Sequence, residues 1–256
     1  MKSAVRVKGV VSSSGRLRLL EPVKLPAGEC EVIVFPVAAP ASSEPVTRPI
    51  RKALEGLAGL GPVVLCPHWL GEPTLHPEFD RFVRHAFSLN SQNRLFRHFK
   101  VHTNAVLLPE DRALTLLDLA AQASVAPDTF LAIHCSIDAF GRETYADVKG
   151  ADRRDVVFRN VERLLDLRAR RGQRRPVVHV AFVVQDGNID DVAPFVEHWR
   201  SRLPGCVLTA DWPPMDTDAV YLRRWNTGDQ AHADALHARA CQAVGLSPVS
   251  RPEGAF

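Results

Sequence analysis

An α/β fold with a parallel sheet is predicted by the alternation, after residue 62, of short apolar runs with longer amphipathic segments. The apolar runs have the length of buried strands and lie at Val63–Leu65, Phe99–His102, Phe130–Ile137, Val177–Val184 and Val207–Ala210. The segments between them have helical periodicity and cover about 76–88, 110–123, 152–171 and 190–202. Repeated units of this kind form right-handed crossovers and build their sites at the carboxyl ends of the strands. The periodicity leaves a doubly wound sheet and a partial barrel as alternatives.

Composition limits the class of protein. A chain of 256 residues that is 46% apolar can bury one sizeable core, and a net charge of +3 neither requires nor excludes a polyanionic partner. No apolar run approaches the roughly 18 residues that a membrane span needs, and the first ten residues lack the apolar centre of a signal peptide. We therefore expect a cytoplasmic protein without a membrane partner.

The five cysteines are scattered, and no two have the spacing of a Cys-x-x-Cys site. They are Cys30, Cys66, Cys135, Cys206 and Cys241. An odd, dispersed set in a cytosolic protein predicts small buried side chains rather than disulfides.

The amino-terminal residues 1–37 form a predicted small β appendage, because short valine- and leucine-rich runs alternate there with turns. Their pattern resembles antitoxin-like β domains related to swapped-hairpin transcription regulators. Such a segment is too small to bury a core alone, so it must either dock on the main domain or pair with a second copy. The second alternative would make the protein a homo-oligomer through residues 1–37. Residues 38–46 have the composition of a linker, and a helix is expected at 48–58.

The most informative motif is the turn Gly71-Glu72-Pro73, which follows the apolar run at residue 65 and precedes an amphipathic helix. It resembles the second strand and turn of radical S-adenosylmethionine (radical SAM) enzymes, whose Gly-Gly-Glu-Pro turn holds the methionine part of the cofactor. The resemblance implies S-adenosylmethionine as the cofactor, with Gly71, Glu72 and Pro73 in its binding site.

Further segments in the same order strengthen this resemblance. Thr103 and Asn104 are similar to the Thr-Asn-Gly that ends the third strand of the family, and Ser136 and Asp138 are similar to the Ser-Leu-Asp that ends the fourth. The resemblance implies that these four residues also line the cofactor site. It extends from about residue 47 to 210 and favours a partial (β/α) TIM-type barrel over residues 47–215, with a carboxyl-terminal extension over 216–256 that contains a helix at about 230–243.

The sequence departs from the family at the iron–sulfur motif. Radical SAM enzymes carry Cys-x-x-x-Cys-x-x-Cys before the helix that here covers 48–58, but this chain has Ala-Ala-Pro-Ala-Ser-Ser-Glu-Pro-Val at 38–46. Without three thiolates we expect no [4Fe–4S] cluster, and therefore no reductive cleavage of S-adenosylmethionine. The usual first strand is also missing, unless Glu31–Phe35 takes its place.

Two interpretations remain open for the acidic residues. Glu72 could accept a ligand ammonium group, or it could hydrogen-bond the neighbouring backbone as an inherited turn residue. Ser136 and Asp138 share one face of a strand and could bind ligand, although a capping role for Asp138 at the next helix is favoured.

A metal site is a further alternative at the strand ends. Cys66, His68, His102 and His134 all fall there, and thiolate with imidazole could hold a metal ion if they converge. Their spacing is not a recognised ligand pattern, so polar lining of the barrel is the favoured interpretation.

The segment Tyr221–Asp229 resembles a post-barrel segment of extended radical SAM proteins, which implies a substrate-binding role for Arg223, Arg224 and Asn226 toward an acidic ligand. A denser basic run covers 168–175. It is interpreted as a solvated helix end, because no aromatic residues are interleaved as nucleic-acid binding would require. Nucleic acid is therefore not an expected partner.

Three functions are compatible with these observations. The favoured one is a non-catalytic pseudoenzyme that binds a ligand or peptide, or serves as a partner subunit. The second is an enzyme that uses S-adenosylmethionine without radical chemistry or a metal in the barrel mouth. The third is a DNA-binding regulator acting through residues 1–37, where Arg6, Lys8, Arg16 and Arg18 are accompanied by Glu21, Glu29 and Glu31, so that the electrostatic attraction to DNA is slight.

Overall fold

The structure is a computed structural model and describes residues 9–11, 17–19, 31–33, 63–67, 71–123 and 129–247. The predicted linker at 38–46, the predicted helix at 48–58, Cys30 and His68 lie outside these residues.

The described residues contain nine strands, six helices and two short 3-10 turns. The strands are β1 (Gly9–Val11), β2 (Leu17–Leu19), β3 (Glu31–Ile33), β4 (Val63–Cys66), β5 (Phe96–Thr103), β6 (Phe130–Ser136), β7 (Val177–Val184), β8 (Val207–Thr209) and β9 (Ala219–Arg224). The helices are α1 (Phe79–Asn93), α2 (Glu110–Ala123), α3 (Arg142–Lys149), α4 (Arg154–Arg170), α5 (Val192–Arg202) and α6 (Gln230–Ala243). The 3-10 turns are Pro73–Leu75 and Asp186–Asp191.

Seven of the strands form one parallel sheet in the order β3-β4-β5-β6-β7-β9-β8, whereas β1 and β2 form a separate antiparallel pair. The predicted α/β class with a parallel sheet is confirmed. Strand β3 pairs with β4 in the register Glu31 to Val64, at the position where a first strand is otherwise missing.

Most predicted elements lie close to the observed ones. Strand β7 and helices α2 and α6 have the predicted bounds. The predicted helix at 152–171 begins at Arg154 and is preceded by the separate helix α3. Strand β9 is not among the predicted strands. Its apolar run has four residues and is followed directly by two arginines, so the sequence pattern does not separate it from the carboxyl-terminal extension.

The hydrophobic core lies between one face of the sheet and the helices. Alternate side chains of the central strands point into it and are fully buried: Phe99, Val101, Leu131, Ile133, Val178, Val180, Phe182, Val220 and Leu222. Helix α1 packs Phe87 against Phe99 with ring centroids 5.3 Å apart, and α5 packs Phe195 against Phe182 at 4.8 Å. We call this side of the sheet the helix face. The opposite side, on which none of the six described helices packs, is called the helix-free face.

The chain reverses its direction across the sheet at β9. It passes from β7 through α5 to the edge strand β8, and then returns to insert β9 between them. Parallel crossovers are right-handed, so the side of the sheet that a connection crosses depends on the direction in which it moves along the sheet. The connection from β8 to β9 returns toward β7 and must therefore cross the helix-free face. The connecting residues 210–218 do so: the ring Nε2 of His179, on the helix-free face, lies 3.0 Å from the carbonyl oxygen of Pro214 and 3.2 Å from that of Thr217.

A buried ion pair fixes the end of this connection. Arg168 of α4 donates from Nη1 to Oδ1 of Asp218 at 2.8 Å and from Nη2 to Oδ2 at 2.6 Å. Asp218 Oδ1 also accepts the backbone N–H of Val178 at 2.8 Å. Arg168 is 9% exposed, so the interpretation of the basic run as a solvated helix end is wrong at this residue, whose charge is used inside the fold.

No helix within the described ranges has both the length and the apolar character required to cross a membrane.

The ion pair gives a testable prediction. The substitution Asp218→Asn leaves the buried Arg168 guanidinium without its counter-charge, and should lower the free energy of unfolding by about 3 kcal/mol. Urea denaturation at pH 7 measures this. Asp166→Asn is the matched control, because Asp166 pairs with Arg202 at 2.9 Å on the surface, where the loss should stay within about 0.5 kcal/mol. Equal losses in the two variants would contradict the assignment of Asp218.

Candidate functional site

The Gly71-Glu72-Pro73 turn lies at the carboxyl end of β4, as the sequence predicts. Gly71 has a φ of +92°, which favours glycine, and Glu72 caps the 3-10 turn that Pro73 begins. Glu72 Oε1 accepts hydrogen bonds from the N–H of Thr74 at 3.1 Å, the hydroxyl of Thr74 and the hydroxyl of Thr103 at 2.8 Å. Glu72 Oε2 accepts from the N–H of Asn104 at 2.6 Å. The carboxylate therefore joins the ends of β4 and β5.

The side chains of Thr103 and Asn104 also hydrogen-bond the backbone of the segment that follows β5. Thr103 Oγ1 accepts from the N–H of Ala105 at 3.0 Å, and Asn104 Oδ1 accepts from the N–H of Val106 at 2.9 Å. Ala105 has a φ of +60°, in the left-handed region, where the family motif has glycine. The structure thus brings Glu72, Thr103 and Asn104 together.

A second carboxylate, Asp138, joins the ends of β6 and β7. Its Oδ1 accepts the N–H of Val183 at 2.7 Å, and its Oδ2 accepts from Ser136 Oγ at 2.9 Å and from the ammonium of Lys149. The side chain of Asn188 donates to the Asp138 carbonyl oxygen at 2.8 Å. Ser136 and Asp138 are therefore adjacent, but Lys149 neutralises the carboxylate.

Asp138 does not cap the next helix, contrary to the favoured interpretation. Its φ of +63° directs the carboxylate toward β7 rather than toward α3. The N–H groups of Phe140 and Gly141, at the start of α3, instead donate to Asp191 Oδ2, both at 2.7 Å.

The helix-free face carries a row of histidines across the centre of the sheet. His102, His134 and His179 occupy matching register positions on β5, β6 and β7. The rings of His102 and His134 are stacked with centroids 4.4 Å apart, and His179 meets His134 edge-on at 5.9 Å. Polar lining, which the sequence favours for His102 and His134, describes this arrangement, and His179 extends the row by one strand.

Burial keeps two of these rings neutral. Burial is the largest cause that lowers the pKa of His134 well below its ordinary value, and the positive charges of His102 and Lys100 lower it further. Burial and Lys100 likewise lower the pKa of His179 to about 4, against the opposing effect of its two backbone hydrogen bonds. Because His179 Nε2 faces two carbonyl oxygens, it carries the proton, and Nδ1 is the unprotonated acceptor.

The metal alternative gains no support from the described part of the chain. It contains no group of three or more His, Cys, Asp or Glu side chains arranged to hold a metal ion. Cys135 points to the helix face, where burial raises its pKa to about 12 and leaves a neutral thiol.

Arg223, Arg224 and Asn226 do not converge on one site. Side chains alternate along β9, so Arg223 lies on the helix-free face, 5.9 Å from the ring of Trp212, whereas Arg224 binds Asp234 of α6 at 3.0 Å. Asn226 is exposed and accepts from Gln230 at 3.4 Å, beside the start of α6. Of the three, Arg223 is placed to meet a ligand on the sheet.

Sequence reasoning missed Trp212 and Lys100. Trp212 lies in the connection 210–218, remains 51% exposed, and places its ring 4.4 Å from the ammonium of Lys100 on β5. The alternation of His98, Lys100 and His102 was an available signal, because polar side chains at every second position of a strand mark a face that is not core.

Neither a protein-family model nor a curated protein sequence matches this chain. Among solved structures, SuiB of Streptococcus suis is similar at 12% identity over 80% of this chain and 42% of SuiB, with a TM-score of 0.47. SuiB bound to S-adenosylmethionine is similar at 11% identity over 84% of this chain and 45% of SuiB, with a TM-score of 0.46. The chain therefore spans less than half the length of SuiB.

The depressed histidine pKa predicts a pH dependence of stability. Since the folded pKa of His179 is about 4 and the unfolded value about 6.5, the native state binds fewer protons, and stability is lost as pH falls from 6.5 toward 4. His179→Gln keeps an N–H for the two carbonyl oxygens but cannot titrate. Between pH 7 and 4.5 the unsubstituted protein should lose about 2.5 kcal/mol more unfolding free energy than this variant. Urea denaturation at both pH values measures the difference, and identical losses would refute a buried neutral His179.

Proposed function

We propose that this protein is a radical SAM-like partial barrel that binds a ligand without radical catalysis. The ligand carries an α-ammonium group, as S-adenosylmethionine, S-adenosylhomocysteine and free amino acids do, and Glu72 binds that group. The support comes from the parallel sheet, the position of Glu72 after β4, and the neutral hydrogen-bond partners of its carboxylate.

The observation that carries the proposal is the set of partners around Glu72. Its four hydrogen-bond donors come from Thr74, Thr103 and Asn104, which are all neutral. Within the described residues no lysine or arginine pairs with it, so its negative charge is oriented but not compensated. An ammonium group would supply that compensation as a charge-assisted hydrogen bond.

The two carboxylate oxygens of Glu72 are not equally occupied. Oε1 accepts from three donors, whereas Oε2 accepts from the N–H of Asn104 among the described residues. Oε2 is therefore the less occupied oxygen, and a ligand ammonium group is expected to approach the carboxylate there. Three hydrogen bonds to Oε1 therefore fix the orientation of the carboxylate, and Oε2 is the oxygen that we propose for ligand binding.

The residues present do not fit the iron–sulfur cluster of the family. The sequence has no Cys-x-x-x-Cys-x-x-Cys segment, and three thiolates are what that motif supplies to the iron. Two described cysteines lie in the sheet, Cys66 in β4 and Cys135 in β6, and both are buried. They are 69 residues apart in the sequence, far from the spacing of the motif. No catalytic step through a cluster follows from this chain.

Calorimetric titration with S-adenosylmethionine, S-adenosylhomocysteine and methionine tests the binding role. We expect a dissociation constant between micromolar and millimolar, about 4 to 8 kcal/mol of binding free energy, for at least one of them. Glu72→Gln removes the charge and keeps the shape, and should weaken that binding by about tenfold or more. Glu78→Gln is the matched control, because Glu78 pairs with Arg81 at the start of α1 and should leave the affinity unchanged.

The titration also has a decisive negative outcome. If the folded, unsubstituted protein gives no heat with any of the three compounds, Glu72 is a structural turn residue. The strand ends would then be a surface for protein or peptide contacts alone.

Iron–sulfur reconstitution tests the second half of the proposal. After anaerobic incubation with iron, sulfide and reductant, the repurified protein should hold no stoichiometric iron and show no visible cluster absorbance. Cys30→Ser and Cys66→Ser should change stability at most. A coloured, iron-containing protein whose colour either substitution abolishes would disprove the loss of the cluster.

A further inference from the structure

The two segments that contact the Glu72 carboxylate are tied together by one arginine of α2. Arg112 Nη1 donates to the carbonyl oxygen of Thr74, in the turn that Glu72 caps, at 3.1 Å, and to that of Leu107, in the loop after β5, at 2.7 Å. We infer that Arg112 and its partner Asp80 are a positioning pair, which holds the Glu72 carboxylate in place for a ligand ammonium group. The role of this pair rests on the proposed function and deepens it, because it assigns the residues that set the affinity of that site for a cation.

The loop after β5 is held by side chains at four successive carbonyl groups, those of residues 105–108. Asn160 of α4 donates from Nδ2 to the first two at 2.9 and 3.0 Å, Arg112 to the third, and Arg163 of α4 to the fourth at 2.9 Å. Backbone carbonyl groups outside helices and strands need other hydrogen-bond partners, and α2 and α4 supply them here. The N–H at the start of this loop is the donor to Glu72 Oε2. Of the three side chains, Arg112 also binds the turn that Glu72 caps.

The guanidinium of Arg112 is itself fixed from α1. Its Nε lies 3.0 Å from Oδ1 of Asp80 and its Nη2 lies 3.1 Å from Oδ2, while its central carbon lies 5.5 Å from the centroid of the Phe79 ring. Two parallel hydrogen bonds of this kind fix the plane of a guanidinium as well as its position. The Arg112 side chain is 15% exposed. Its Nη1 is therefore kept directed at the two carbonyl oxygens.

Asp80 also determines the charge that a ligand meets at the site. A guanidinium without a counter-charge beside the Glu72 turn would repel a ligand ammonium group, since charges separated by several Å still interact near a protein surface. The pair of Arg112 and Asp80 has no net charge, whereas the described hydrogen-bond donors to Glu72 are all neutral. Arg112 therefore supplies hydrogen bonds to both segments without cancelling the negative charge of Glu72.

Arg112→Met tests the positioning role, because methionine has a similar length but no hydrogen-bond donor. Calorimetric titration uses S-adenosylmethionine, S-adenosylhomocysteine and methionine as probes. We expect the affinity for those that bind the unsubstituted protein to fall by about tenfold or more. Arg84→Met is the matched control, because Arg84 also joins α1 to α2, through Thr115 Oγ1 at 2.8 Å, but its partner is not in the Glu72 turn. It should change the affinity by less than about twofold.

Two further variants separate positioning from stability. Asp218→Asn breaks the buried ion pair at the amino end of β9, so it should destabilise the fold and leave the affinity of the folded protein unchanged. Asp80→Asn keeps the shape of the pair but leaves the charge of Arg112 uncompensated. It should weaken binding, and the loss should shrink as salt is raised from about 0.05 to about 0.5 M, because salt screens the repulsion of the ligand ammonium group. A purely structural role predicts a loss that does not depend on salt.

The outcomes distinguish the positioning pair from the proposed function. If a probe binds and Glu72→Gln weakens it, but Arg112→Met and Asp80→Asn do not, the ammonium site stands and the positioning pair is overturned. If the folded, unsubstituted protein binds no probe, both are overturned. Should Arg112→Met not fold, Arg112→Lys takes its place, since lysine keeps the charge and loses the paired donors; an unchanged affinity in that variant overturns the positioning role.

Discussion

The handedness of parallel crossovers is the constraint on which the rest of this structure depends. Each connection from one strand to its parallel neighbour must pass on the side that makes the crossover right-handed, so the helices of consecutive units collect on one face. The central strands follow this division residue by residue: on β5, Phe99 and Val101 enter the core, while Lys100 and His102 lie on the helix-free face. Side chains on the helix-free face do not have to pack against helices, so they can be polar and can serve as potential ligand-binding groups.

The reversal at β9 has a second consequence, because it places a connecting loop on the helix-free face. Because the chain runs backwards from β8 to β9, residues 210–218 must cross the helix-free face, and they carry Trp212 onto it. The end of this connection is held from the other side of the sheet, where Arg168 of α4 binds Asp218. Packing on the helix face thus positions a loop on the opposite face.

The sequence was most informative where the physical signal is local. The amphipathic period and acidic first turn of α2 and the continuous apolar run of β7 predicted their bounds, and the Gly-Glu-Pro turn placed Glu72 at a strand end. The insertion of β9 and the position of Trp212 depend on contacts between distant segments, which no local pattern encodes. Arg223 and Arg224 are an intermediate case, since the two-residue period of a strand separates them once β9 is recognised.

Glu72 and Asp138 show how a carboxylate can hold neighbouring strand ends together without a ligand. Glu72 accepts the backbone N–H of Asn104 after β5, and Asp138 accepts the backbone N–H of Val183 in β7. Each carboxylate therefore stabilises the carboxyl ends of neighbouring strands without any ligand. The two differ in charge: Lys149 compensates Asp138, whereas the donors to Glu72 are neutral. A purely structural carboxylate gains from an internal cation, as Asp138 does. No such cation lies among the described partners of Glu72, and this difference from Asp138 is the observation on which the proposed ligand role of Glu72 rests.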